Sequence, residues 1–288
     1  MPSPRWPARR LTGRTRGGWI NRQLLVILAS LVVLGLLVAS LLNLGPSAGQ
    51  SSVGREAGTK GQPLVIYCAA SNKSVMEAIR ADYERQYKTP LQIQYGPSQT
   101  LLAAIEISGT GDLYLPADDS YLTMARERNL LADEFPLANM QAVVAVAKGN
   151  PKRIERLSDL LRDDVRVAQA SFEGAAIGKL TREVLSARGE WDALHAHTTV
   201  YKTSVNEVAS DVKVGSVDAG IVFDVVLHDF DTLDAVPIPE LAEAQAHVGV
   251  AVIKKSRQPK QALHFARYLA ASNAGLARYK EFGFEPVA

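Results

Sequence analysis

Hydrophobic and polar positions divide the chain into two regimes. Between Leu24 and Leu42 the sequence LLVILASLVVLGLLVASLL runs for 19 residues without a charge. At ~1.5 Å rise per residue, about 20 apolar residues span the ~30 Å hydrocarbon core of a bilayer. From Leu64 onward the apolar positions come instead in short bursts, separated by segments with helical spacing. LVIYCAA (64–70) is a continuous apolar run with β-branched and aromatic residues, as expected of a strand buried on both faces. Ser71 is placed to cap the helix that follows, where Met76, Ile79, Tyr83 and Tyr87 recur on one face.

The alternation continues to the C-terminus. LQIQY (91–95) reads as a strand, Gly96-Pro97-Ser98 as a turn into a helix at 99–107, and 112–115 as a third strand before a helix at 120–129. Further strands are expected at 142–147, 165–168, 199–201, 219–223, 235–237 and 248–253. Helices are expected at 154–161, 178–188, 207–214, 259–270 and 274–281. Strands alternating with helices indicate an α/β fold built on parallel sheets. A body of about 225 residues exceeds the common domain size of ~100–150, so two lobes are expected. The chain is expected to cross between them near 137–141 and 234–248. That assigns 63–138 and 235–288 to lobe 1 and 139–234 to lobe 2.

Charge refines the picture of the N-terminal part. The 288 residues hold 32 Lys+Arg and 30 Asp+Glu, a net charge of +2. The first 55 residues contain seven Arg and no acid, which leaves the remainder at −5. Six of these Arg precede the apolar run and none follows before Arg55. The positive-inside rule therefore makes 1–23 a basic cytoplasmic segment, 24–42 a transmembrane anchor and 43–62, rich in Gly and Ser, a flexible linker. The competing reading of 24–42 is a long cleaved signal, although its run exceeds the roughly 7–15 residues of a signal peptide's apolar region. Either way the body lies outside the cytoplasmic membrane. The near-neutral total argues against a nucleic-acid partner. The single cysteine, Cys68, excludes an intramolecular disulfide and reads as a small buried hydrophobe.

Chemical motifs are scarce. No P-loop, no G-x-G-x-x-G and no G-x-S-x-G occurs, and His195-x-His197 is the only close histidine pair. Asp112 opens a strand, where an acid is as suited to bonding a neighbouring turn as to function. What stands out is the repeated ending of the early strands in small or polar residues that open directly into helices: Ala69-Ala70-Ser71, Gly96-Pro97-Ser98 and Pro116-Ala117-Asp118. Helix N-termini present unpaired N–H groups and a positive dipole end, so Ser71 and Ser98 at two such junctions suit a small anion. The alternative is that both serines are ordinary helix caps.

These residues carry a resemblance. LVIYCAASNKSVMEAI followed by YGPSQTLLAAIEISGTGDLYLPADDSYL, then WDAL (191–194), SVNEVASDVKVGSVDAGIVF (204–223) and Phe282-Gly283-Phe284, is similar to the periplasmic molybdate-binding proteins of ABC transporters. The resemblance covers essentially all of 64–288. It implies a two-lobed, type II periplasmic-binding-protein-like fold, each lobe a mostly parallel sheet with flanking helices. It further implies an extracytoplasmic, monomeric solute-binding protein rather than an enzyme. Such a protein captures molybdate or tungstate without a cofactor and delivers it to an ABC permease. Carried over position by position, the resemblance assigns anion contacts to the hydroxyls of Ser71 and Ser98, to a backbone amide at Ala176 or Ile177, and to the amide of Val205.

One position departs. Where the family has a tyrosine in Gly-Ile-Val-Tyr, this chain has Phe223, so a hydroxyl is missing; Ser204 or a water stands in, or another anion is preferred. Asn206, in place of a common Arg, and Asp224 are further departures. Sulfate transport, a tethered solute sensor and, less favoured, an anchored α/β enzyme are the competing readings. An oxyanion that keeps a proton gains from an acceptor in its site. The carried-over positions contain none, which favours fully ionised anions over phosphate.

Overall fold

The computed structural model describes residues 61–287; the basic segment 1–23, the segment read as membrane anchor and the linker as far as residue 60 lie outside them. Among the described residues no helix is long and apolar enough to cross a membrane.

The body opens with three parallel strands, β1 (Leu64–Ala69), β2 (Leu91–Gly96) and β3 (Leu113–Leu115), with β1 in the middle. Between them run α1 (Lys73–Tyr87) and α2 (Ser98–Ser108), and α3 (Ser120–Glu127) follows β3. Met76, Ile79 and Tyr83 lie on the buried face of α1 as the spacing predicts, joined by Val75, while Tyr87 at the helix end is exposed.

β4 (Leu131–Ala147) is 17 residues long and holds the two halves together. Its first part pairs with β9 (Gln245–Ile253) as far as Gln141; from Ala142 it pairs with β7 (Ala219–Phe223) in a second sheet. That second sheet is completed by β5 (Val167–Ala170), β6 (Val200–Lys202) and β8 (Leu233–Val236). Its helices are α4 (Leu157–Leu160), α5 (Ala176–Ala187), α6 (Trp191–His197) and α7 (Val205–Lys213). The chain returns through β9 to the first sheet, which α8 (Pro259–Leu269), α9 (Gly275–Glu281) and β10 (Glu285–Pro286) finish. The result is a two-lobed α/β molecule in which one long strand belongs to both sheets.

One sequence expectation is corrected, and two elements lie outside those expected. The sheets are mixed rather than mostly parallel: β9 lies antiparallel to β3 and β4, and β4 antiparallel to β7, β8 and β10. Each lobe thus has a parallel triplet, β2-β1-β3 or β7-β5-β6, completed by antiparallel crossover strands. The first part of β4 alternates irregularly and contains Pro136, which hid it from a period-two reading; register shifts flank that proline. Helix α6 was also missed, being only seven residues with Trp191 and Leu194 as its buried contacts.

Candidate functional site

The carboxyl ends of all six parallel strands face one cleft. It is lined by Ala69, Ala70 and Ser71 after β1, Gly96, Pro97 and Ser98 after β2, and Ala117 after β3. From the other lobe come Ala175, Ala176 and Ile177 after β5, Ser204 and Val205 after β6, and Phe223 ending β7. In open α/β sheets ligands bind beyond the carboxyl ends of strands. Here two such edges oppose each other. All six residues singled out from the sequence, Ser71, Ser98, Ala176, Ile177, Val205 and Phe223, are brought to this cleft.

Neither serine is an ordinary cap. Ser71 sits inside a single 3₁₀ turn, Ala70–Asn72, that precedes α1, and no side chain caps that turn. Its Oγ accepts a hydrogen bond from Asn72 Nδ2 at 3.3 Å. Ser98 is the first residue of α2, where Pro97 holds the cap position with an extended backbone and no side-chain bond. Its Oγ accepts the Ala117 N–H at 3.1 Å, and its carbonyl accepts the Tyr114 hydroxyl at 2.8 Å. A hydroxyl has one proton and two acceptor positions. With an acceptor position filled, each hydroxyl proton is left without a partner among the described residues.

The second lobe contributes backbone. α5 starts after Ala175 with no side-chain cap, so its first N–H groups, those of Ala176 and Ile177 among them, lack intrahelical and capping partners. The close approach of this helix to its strand requires glycine at 178, where a Cβ would lie 2.4 Å from the Ala170 carbonyl. α7 begins with Ser204 as its N-cap: Ser204 Oγ accepts the Glu207 N–H at 3.4 Å, and Glu207 Oε2 accepts the N–H of the preceding Thr203 at 3.3 Å. Ser204 Oγ also donates to Glu207 Oε1 at 3.2 Å. That contact engages its proton in the cap. Phe223 itself is 1% exposed and walls the cleft with its ring.

No side chain lining the cleft is ionisable. Electrostatic attraction for an anion comes from hydroxyls, amides and the positive ends of helices, which a sequence-averaged charge does not register. Asp224 is the nearest acid in sequence, but its Oδ1 accepts the N–H groups of Gln141 at 3.0 Å and Val225 at 2.8 Å. Burial raises its pKa. Its role is mechanical: Gln141 is where β4 leaves the first sheet, and Gln141 Nε2 donates to the carbonyls of Leu241 and Ala244 at the return crossing. The space open to the centre of a water-sized sphere is about 20 Å³, slightly above the roughly 10–15 Å³ needed by one water. In this closed arrangement the space is that of a small ligand.

The lobes touch around this space. Gln99 N–H donates to the Gly174 carbonyl at 3.3 Å, linking the N-terminal turns of α2 and α5. Lys179 Nζ donates to Ser120 Oγ at 2.9 Å and lies 5.3 Å from the Tyr121 ring centroid. Ser74 donates to Asp229 on the opposite rim, and His228 packs on Phe282 at 4.8 Å between ring centroids. The arrangement is a closed one.

Elsewhere the candidates resolve as structural. Asp112 accepts the Val65 N–H at 2.9 Å and the Ser256 hydroxyl, tying the start of β3 to β1. Cys68 is buried and unpaired, and burial pushes its thiol pKa up. His195 bonds the Tyr201 hydroxyl and stacks on Trp191, while His197 bonds the Val165 carbonyl; no metal-holding cluster exists among the described residues. What the sequence reading missed is the backing of the two serines by Asn72 and Ala117. The Ala117 contact joins residues 19 apart across a central strand, and no local pattern announces it.

The chain matches the family described as bacterial extracellular solute-binding protein over residues 64–285. It is 27% identical over 257 residues to the molybdate-binding protein ModA of Mycobacterium tuberculosis, covering 88% of this chain and 95% of that one. Among solved structures it is similar to the periplasmic molybdate-binding protein of Azotobacter vinelandii, with a TM-score of 0.67, 17% identity, and coverage of 77% of this chain and 98% of that one. The sulfate-binding protein SubI of Mycobacterium tuberculosis has a TM-score of 0.68 and 17% identity, covering 78% of this chain and 87% of its own. At such identities these two structures establish the shared two-lobed fold.

Proposed function

Because this chain belongs to the bacterial extracellular solute-binding proteins, we propose that its cleft captures a small tetrahedral oxyanion, molybdate or tungstate first. It delivers that anion to the permease of an ABC transporter. The observation that carries the reading is a water-sized cleft, lined only by neutral groups, onto which serine hydroxyls and helix N-termini from both lobes converge. Ser71 and Ser98 donate through their hydroxyls, Ala176 or Ile177 and Val205 through backbone amides, and Phe223 supplies a wall without a donor. A dianion without protons is an acceptor only, so a lining of donors suits it and a carboxylate would repel it. The name of the ModA relative supports molybdate as the first ligand to try.

Sulfate is the second reading, since the same donor-only lining serves any fully ionised tetrahedral anion. An enzymatic role is weaker, because no lining side chain is a general base. Residues 24–42 would tether the protein, as a monomer, to the outer face of the cytoplasmic membrane, with 63–138 and 235–288 as one lobe and 139–234 as the other.

Calorimetric titration with molybdate, tungstate, sulfate and phosphate tests the proposal. Binding of one of the first three, with phosphate at least tenfold weaker, is the expected result. No heat from any of the first three at millimolar anion would sink it. Bound anion at ~100 times its dissociation constant should stabilise the fold by ~2.7 kcal/mol.

A further inference from the structure

Asn72 is fully buried, at 0% exposure, in the turn between β1 and α1. Its side chain makes one hydrogen bond, from Nδ2 to Ser71 Oγ at 3.3 Å. The other end, Oδ1, is buried with no hydrogen-bond partner among the described residues. Asn72 holds the N-cap position of α1 yet makes no side-chain cap bond, and a buried polar atom without a partner costs stability. Stability therefore does not account for an asparagine here. Its only partner does, because that partner faces the cleft.

The amide has two orientations of equal shape and opposite consequence. With Nδ2 toward Ser71, the amide fills an acceptor position of that hydroxyl and leaves the serine proton for the cleft. Turned over, Oδ1 would take that proton, and Ser71 would offer an anion only lone pairs. The second serine is set the same way by a group that cannot turn over, the Ala117 N–H behind Ser98. We infer that Asn72 is a positioning residue that fixes Ser71 as a hydrogen-bond donor to the bound anion. It is the side-chain counterpart of the Ala117 amide behind Ser98. The inference rests on the oxyanion reading above.

A double-mutant cycle on the full chain in detergent, with molybdate as the titrant, tests it. Asn72→Leu should weaken molybdate roughly tenfold when Ser71 is present, because a directed hydrogen bond to a charged group is lost to a freely rotating hydroxyl. In a Ser71→Ala background the same substitution should cost less than about twofold, since its effect runs through that hydroxyl. The melting temperature of Asn72→Leu should not fall. Should the leucine variant fail to fold, Asn72→Ala runs through the same cycle. Equal factors in the two backgrounds, or no effect in either, would overturn the inference while leaving the oxyanion reading intact. Absence of anion binding by the unmutated chain would overturn that reading and this inference with it.

Discussion

The Oγ of Ser98 accepts the N–H of Ala117 at 3.1 Å, which fills an acceptor position of that hydroxyl and leaves its one proton without a partner among the described residues. The bond spans two junctions, the start of α2 and the loop after β3, so the donor is set by the sheet rather than by its own helix. Ser98→Ala should weaken oxyanion binding roughly 10- to 100-fold, the range expected for one hydrogen bond to a charged group. Calorimetry measures it, and Ser98 is redundant if affinity stays within twofold.

Phe223 occupies the position where the resembled family carries a hydroxyl, and it is buried against the cleft. Phe223→Tyr should tighten molybdate binding roughly tenfold by adding a neutral donor. A loss of binding instead would mean that the phenyl ring itself sets the shape of the ligand.

At Gly178 a methyl group would meet the Ala170 and Ser171 carbonyls at 2.4 and 2.5 Å. Gly178→Ala should therefore displace the start of α5, costing about 1–3 kcal/mol of stability as overpacking does. It should weaken anion binding as well. Urea denaturation and titration report the two effects, and an unchanged midpoint would contradict the close approach.

Closure is held at one rim by Lys179, which reaches Ser120 of the other lobe. Lys179→Met should speed anion release several-fold while leaving the association rate and the unfolding midpoint nearly unchanged, since tuning within one interface acts mostly on dissociation. Stopped-flow fluorescence separates the rates. A change confined to association would point to long-range steering instead.

The carboxylate of Asp218 pairs with Arg166 through Oδ2 at 3.0 Å and also accepts the Arg166 N–H at 2.9 Å. These bonds hold its pKa below the usual 3.8. A carboxylate with a lowered folded pKa contributes stability above its unfolded value and loses it as pH falls through the folded value. Asp218→Asn should accordingly lower the urea midpoint at pH 7. The gap from the unmutated chain should close as pH drops below about 4; a constant gap would show the pair is not the source. Arg166 is half-exposed, so the effect at pH 7 should be modest.

Much of this molecule was legible in one dimension. Ala69-Ala70-Ser71 and Gly96-Pro97-Ser98 marked strand ends opening into helices because strand and helix formation are local and their periodicities differ. The heptad-like burial of Val205, Val208, Ala209 and Val212 on α7 and the Ser204–Glu207 cap follow from the same local rules. Strand β4 was only half legible: its apolar second part reads as a buried strand, while its first part, interrupted by Pro136, pairs through register shifts that no period reveals.

What the sequence determined alone was the order of elements and the chemical type of the residues at their junctions. Periodicity and capping depend on neighbours within a turn or two. Only the tertiary structure decided that β9 and β4 run antiparallel to the strands beside them, and that six strand ends face one another across a single cleft. The same folding backs Ser98 with the Ala117 N–H and turns Asp224 to the crossing at Gln141. Those outcomes depend on which groups the folded chain leaves within about 3 Å of each other. That proximity is a property of packing between distant segments, and a linear pattern does not carry it.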